Sequence, residues 1–190
     1  MAAGDYCCGN MNREQAQTWP NLREVTIVSG GQTGADRAAL DFAIAHGIAH
    51  GGWCPRGRLA EDGTIDPRYL LRETPSRKYA QRTEWNIRDS DATVVFSLTP
   101  QVSGGTALTI ELAKRLGKPW LLLTHDSGES AAAGAGDAAP HLVASAAKRL
   151  LAFLAEHHVR RLNLAGPRAS QEPRIAPFVA RVLAASLAHS

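Results

Sequence analysis

Val25-Thr26-Ile27-Val28-Ser29-Gly30-Gly31-Gln32-Thr33-Gly34-Ala35-Asp36-Arg37 is the stretch that decides the fold. Four β-branched residues in a row favour an extended strand. The glycines then break it, and Ala39, Leu40, Ala43 and Ile44 recur at helical spacing until Gly47. The unit is strand, glycine turn, helix and stop. It returns at Thr93-Val94-Val95-Phe96, followed by Ser103-Gly104-Gly105-Thr106, by Leu108, Leu112 and Leu116 on one face, and by Gly117 with Pro119 beyond it. Trp120 to Leu123 form the next strand. A helix carries Val143, Ala146, Ala147, Leu150 and Leu154; Leu162 and Leu164 mark a last strand; Ile175, Val179, Val182, Leu183 and Leu187 form a closing helix. Residues 48–54 are a candidate second strand weakened by their glycines. Strands that are apolar almost throughout and alternate with helices predict an α/β protein, a Rossmann-like doubly wound, mainly parallel sheet with helices on both faces.

The 190 residues suit one domain, expected over residues 22–190, with residues 1–21 as a polar disordered tail. Residues 125–140, HDSGESAAAGAGDAAP, read as a mobile surface loop. A hydrophobic share of 44% against 21% charged excludes a wholly disordered chain. No run of about 18 apolar residues predicts a membrane span, and the polar start lacks the apolar core of a secretory signal, so the expectation is a cytoplasmic protein with no membrane partner. Cys7 and Cys8 lie in the tail and Cys54 stands alone, which gives no disulfide framework. The net charge of +3 comes without a run of Lys or Arg, so no nucleic-acid partner is expected.

In doubly wound sheets, ligands bind beyond the carboxyl ends of the strands, where the strand order reverses. Both glycine junctions lie at such ends. Gly30, Gly31, Gln32, Thr33 and Gly34 lead into a helix whose first N–H groups and dipole favour an anion, most often a phosphate. The spacing is neither G-x-G-x-x-G nor a Walker loop. Asp36 serves either the helix dipole or a ligand, and Arg37 stands within reach of an anionic group. Ser103, Gly104, Gly105 and Thr106 repeat the device, and the pair predicts a cleft for a small-molecule, phosphate-bearing ligand. Between them, Tyr79, Thr83 and Asn86 share one face of a polar helix with Arg82 beside them, an arrangement that also fits a solvated helix. Trp53 to Arg58 offer an aromatic platform and two guanidiniums to a planar anionic ligand. No zinc spacing, nucleophile elbow or Ser-His-Asp order occurs, so neither metal ligands nor catalytic residues are assigned.

Laid out in this order, the residues resemble the molybdenum carrier proteins, also called molybdenum cofactor carriers. The likeness runs over residues 25–124 through VSGGQTGADRAALDFA, GWCPRGRLAEDG, LRETPSRKYAQRTEWNIRDSDAT and SGGTALTIELAKRLGKP, and resumes at LNLAGPR, residues 162–168. It implies a Rossmann-fold homo-oligomer, dimer or tetramer, that binds molybdenum cofactor, a phosphorylated molybdopterin, and protects or delivers it to molybdoenzymes. The glycine junctions would then hold anionic groups, while Arg82, Asn86 and the residues near Trp53 shape the pterin side. The wider superfamily includes the lysine decarboxylase-like phosphoribohydrolases, whose PGGxGTxxE signature this chain resembles only in part, since Ser103-Gly104-Gly105-Thr106 lacks the second spaced glycine. Here its glutamate position holds Thr109, and Glu111 falls about 200° further round the helix. The alternative is a nucleotide-binding enzyme that hydrolyses a nucleoside monophosphate, with Asp36, Arg82 or Glu84 as catalytic groups.

Overall fold

In the computed structural model, which describes residues 21–125 and 140–188, the chain alternates strands and helices in the expected order. The tail over residues 1–20 and most of the expected loop, residues 126–139, lie outside the described residues. A 3-10 turn, Leu22–Glu24, is capped by the Asn21 side chain and leads into β1 (Thr26–Val28) and α1 (Ala35–Ala45). β2 (His50–Cys54) follows, then a small antiparallel hairpin of β3 (Leu59–Ala60) and β4 (Gly63–Thr64), and β5 (Leu71–Glu73). α2 (Tyr79–Arg88), β6 (Ala92–Ser97), α3 (Gly104–Arg115) and β7 (Trp120–Thr124) make the second winding. α4 (Pro140–Glu156), β8 (Arg161–Ala165) and α5 (Ile175–Ala188) close the chain.

The six strands of the main sheet are parallel and lie in the order β5-β2-β1-β8-β6-β7. The protein is a Rossmann-like α/β fold. Its last strand sits at the centre: Leu162 pairs with Ile27 of β1 on one side and with Ala92 of β6 on the other. Counted from β8, the chain winds outward through β1, β2 and β5 to one edge, then through β6 and β7 to the other. The reversal point falls between β8 and β6. The strand that begins this winding is thus the last described strand in sequence. α5, which follows β8, packs on the 3-10 turn that precedes β1, so the two ends of the winding meet.

All six residues of β6 are buried, since helices cover it on both faces. On one side α1, α4 and α5 bury Val94, Phe96, Leu162 and Leu164 against Leu150, Leu154, Phe178 and Leu183. Each such side chain, fully withdrawn from water, contributes roughly 1.5–3 kcal/mol. Ile87 of α2 with Leu112 and Ala113 of α3 form a smaller cluster on the other face. The hairpin and β5 had no clear sequence signal: two-residue strands show no period, and β5 has a single apolar residue, Leu71, facing Leu40, Cys54, Ile65 and Tyr69.

Candidate ligand cleft at the sheet reversal

Ser29 donates from Oγ to the Leu164 carbonyl at 2.8 Å, which ties the first glycine junction to the central strand. At Gly34 the backbone takes φ 76°, and a Cβ would stand 2.5 Å from the Pro167 carbonyl oxygen. Only glycine fits there. The Ala35 N–H donates to that same carbonyl at 3.2 Å, so α1 starts against the loop that leaves β8. Gly30 leaves its Cβ space to the guanidinium of Arg82 on α2. From there Arg82 Nη1 pairs with Asp36 Oδ2 at 3.0 Å, the two side chains being 13% and 3% exposed.

This pair gives Asp36 its role. Its carboxylate accepts from the Gln32 N–H at 3.3 Å and also from the Gly30 backbone. Burial pushes the Asp36 carboxyl above its ordinary value, with Arg82 and the two backbone donors pulling the other way. Two amides of the first junction, those of Gly30 and Gln32, therefore turn onto a carboxylate that the protein itself supplies. Thr33 donates its N–H to its neighbour's Gln32 Oε1 at 3.0 Å. Its hydroxyl donates to Glu61 in the hairpin turn and accepts from Ala169 N–H. Arg37 reaches outward, with Nη2 on Asp62 Oδ1 at 2.8 Å and Nε on the Gly31 carbonyl at 3.3 Å.

The second junction is open. Ser103 precedes α3 without a side-chain cap, and both Thr106 N–H and Ala107 N–H turn to the Ser103 carbonyl. The Gly104 and Gly105 N–H groups have no partner among the described residues. A Cβ at Gly105 would meet nothing within 4 Å. Between this helix start and α2 lies a cleft with Gln32 and Asp36 at its inner end, Tyr79, Arg82 and Thr83 on one wall, and Gly105, Thr106 and Thr109 on the other. Gly166, Arg168 and Gln171, from the loop after β8, complete it. It continues past Ser97, Ser103 and Glu172, where Glu172 accepts from Ser97 Oγ and from Leu98 N–H at 3.1 and 2.7 Å.

Of the expected residues, the fold brings Gln32, Asp36, Arg82, Gly105 and Thr106 to the cleft, with Ser103 at its continuation. Asn86 is spent elsewhere: its oxygen accepts from Trp53 N–H at 2.7 Å and its nitrogen donates to Trp53 C=O at 3.0 Å, which fastens α2 to β2. Trp53 packs edge-on to Trp85 and donates to Asp89. Arg58 donates to the carbonyls of Ile65, Asp66, Tyr69 and Leu71 and so clamps the loop between the hairpin and β5. Glu84 pairs with Arg115 at the surface. Arg168 and Gln171 are cleft residues that residue patterns did not single out. Arg168 ends the LNLAGPR stretch just past a strand's carboxyl end, and that position was the available signal; Gln171 carried none.

A parallel, doubly wound sheet with a polar cleft at its reversal point places the protein in the Rossmann-like class. The chain belongs to the circularly permutated YpsA SLOG family, whose model it matches over residues 27–187. It is also similar to the solved structure of a "Putative molybdenum carrier protein" from Syntrophus aciditrophicus SB, at 41% identity and TM-score 0.78, over 88% of this chain and 96% of that one. No curated protein matches the chain.

Proposed function

We propose that the protein binds, protects and delivers molybdenum cofactor, held with its phosphate at the start of α3 and its pterin toward α2. The observation that carries this reading is the pair of N–H groups at Gly104 and Gly105, without a partner among the described residues, beside a cleft that Arg82 and Arg168 also line. A helix start of this kind attracts a phosphate through its N–H groups and its dipole. The naming of the 41% identical Syntrophus aciditrophicus SB relative as a molybdenum carrier supports the choice of cargo.

In this reading the terminal phosphate takes the Gly104 and Gly105 amides, and Arg168, whose Nε lies 3.7 Å from Glu61, shares its charge between that carboxylate and the ligand. Arg82 stays fixed by Asp36 and offers its remaining N–H groups to the pterin. Carriage needs donors and burial rather than a general base. The protein acts in the cytoplasm as a homo-oligomer and passes its cargo to molybdoenzymes. Anaerobic titration with isolated cofactor, followed by transfer to a cofactor-free molybdoenzyme, tests the proposal. Saturable binding, slower loss of activity in air and transfer are expected. Absence of saturable binding, or equal decay with and without protein, overturns it.

A further inference from the structure

Beyond the start of α3 the cleft opens into an outer space of about 270 Å³. Thr106 and Gln171 line this space and the inner cleft alike, while Gly105 lines the inner one and Ser103 the outer. The first turn of α3 therefore stands where the two meet. Ser97, the last residue of β6, brings the outer space to the carboxyl end of that strand, beside the sheet reversal where ligands of doubly wound folds bind. A phosphate at α3 and a pterin toward α2 leave this space without a role.

Glu172 is the only charged residue among the described residues that line it. Its Oε1 accepts from Ser97 Oγ at 3.1 Å and its Oε2 from Leu98 N–H at 2.7 Å. Ser97 Oγ in turn accepts from Thr99 N–H at 3.3 Å, so the carboxylate is held in place from the end of β6. A carboxylate offers about four lone-pair positions, and one on each oxygen remains. Two neighbouring hydroxyls can fill that pair.

The surroundings favour hydroxyls over other donors. Ser103 and Thr106 bring hydroxyls and Gln101 and Gln171 bring amides, groups that both give and accept hydrogen bonds. A sugar hydroxyl does both as well. An ammonium only donates, and here it would lie by the positive end of the α3 dipole. A second anion would be repelled by Glu172. We propose that the outer space holds a sugar carried on the phosphate, with a vicinal hydroxyl pair on the two Glu172 oxygens. The proposal rests on reading the start of α3 as the phosphate site, and it names a class of cargo: phosphate esters that bear a sugar on the side away from α2. Glu172 is then the residue that separates them from a bare terminal phosphate.

Ribose 5-phosphate, 2-deoxyribose 5-phosphate and inorganic phosphate test it by calorimetric titration of the full chain. Ribose 5-phosphate is expected to bind about tenfold or more tightly than inorganic phosphate, because hydrogen bonds to a charged acceptor are among the stronger ones. The 2-deoxy sugar lacks the vicinal pair and should lose about fivefold or more of that affinity. Glu172→Gln and Glu172→Ala, both checked by thermal melting, should reduce the advantage of ribose 5-phosphate to about twofold or less. Inorganic phosphate should bind either variant as well as before or more tightly, since a negative charge is removed, and so separates loss of the sugar contact from loss of the fold. Equal affinity for ribose 5-phosphate and inorganic phosphate, no penalty for the missing hydroxyl, or an undiminished advantage in a folded variant overturns the proposal. So does no binding of ribose 5-phosphate up to millimolar concentration, or an equal gain from phosphoethanolamine, which brings an ammonium in place of hydroxyls. Failure of the carrier reading looks different: isolated cofactor does not bind while the Glu172-dependent advantage of ribose 5-phosphate holds. Conversely, saturable cofactor binding with no such advantage removes the sugar site and leaves the carrier reading standing.

Discussion

Arg82 lies where a Cβ of residue 30 would go, and this single substitution of hydrogen for methyl sets the inner cleft. Gly30→Ala is therefore expected to push the guanidinium off Asp36 and to destabilise the fold by about 2 kcal/mol or more, measurable by urea unfolding. Asp36→Ala should cost more, about 3–5 kcal/mol, because it leaves a buried arginine without its partner. A loss below about 1 kcal/mol for Asp36→Ala would show that the pair carries no such weight. Glu61 behaves differently. Burial raises its carboxyl, but Ser170, Thr33 and Arg168 outweigh this and hold it below the ordinary glutamate range. With the folded value lower than the unfolded one, its contribution is complete above the ordinary range and fades as pH falls through the folded value. The stability gap between the native chain and Glu61→Gln should thus be open at pH 6 and close toward pH 3 in parallel denaturation curves.

The two glycine junctions look alike as sequence elements and differ as structures. At α1 the acidic residue of the first turn folds back onto the loop amides, so the element carries its own anion. At α3 the first turn holds no acidic residue, and its amides stay open. Gly105→Asp would give α3 what α1 already has. There is space for the side chain, and a carboxylate in the first turn favours a helix, so thermal stability should hold or rise slightly. Affinity for inorganic phosphate or a phosphate-bearing ligand should fall about tenfold or more through like-charge repulsion. Undiminished binding by a folded Gly105→Asp chain would move the anion site away from α3. Strands β1, β2, β6, β7 and β8 and all five helices were legible from periodicity and glycine stops. The hairpin and β5 were not, since they are held by Arg58 and by tertiary packing rather than by a pattern of their own.

Across the whole molecule, the sheet order makes the position of the chain ends incidental to the winding. A permuted chain that starts just before β8, at the turn through His158 and Val159, and joins Ala188 to Asn21 by a short linker should form the same sheet, because α5 already packs on the Leu22–Glu24 turn. Circular dichroism, hydrogen exchange of β6 and β8, and phosphate-ligand affinity close to those of the native order are the expected results. A permutant that collapses without cooperative unfolding would mean that the native strand order along the chain, β1 before β8, is required for β8 to insert between β1 and β6. No described helix is long and apolar enough to cross a membrane.

What the sequence determined by itself was local: runs of β-branched residues, helical spacing and glycine stops fix strands, helices and turns through short-range sterics and burial. Alternation then fixed a parallel sheet covered on both faces. The tertiary structure alone decided which strand lies at the centre, since β8 inserts between two strands about 70 and 135 residues earlier in the chain and no local pattern encodes that pairing. It also decided which glycine junction is open. Whether the amides of a helix start face solvent or a carboxylate depends on where Asp36 and Arg82 meet, 46 residues apart in sequence. Asn86 and Arg58 show the same division: their hydrogen-bonding capacity was legible, but its use on Trp53 and on four loop carbonyls follows from the three-dimensional arrangement of backbone groups that must be satisfied once buried.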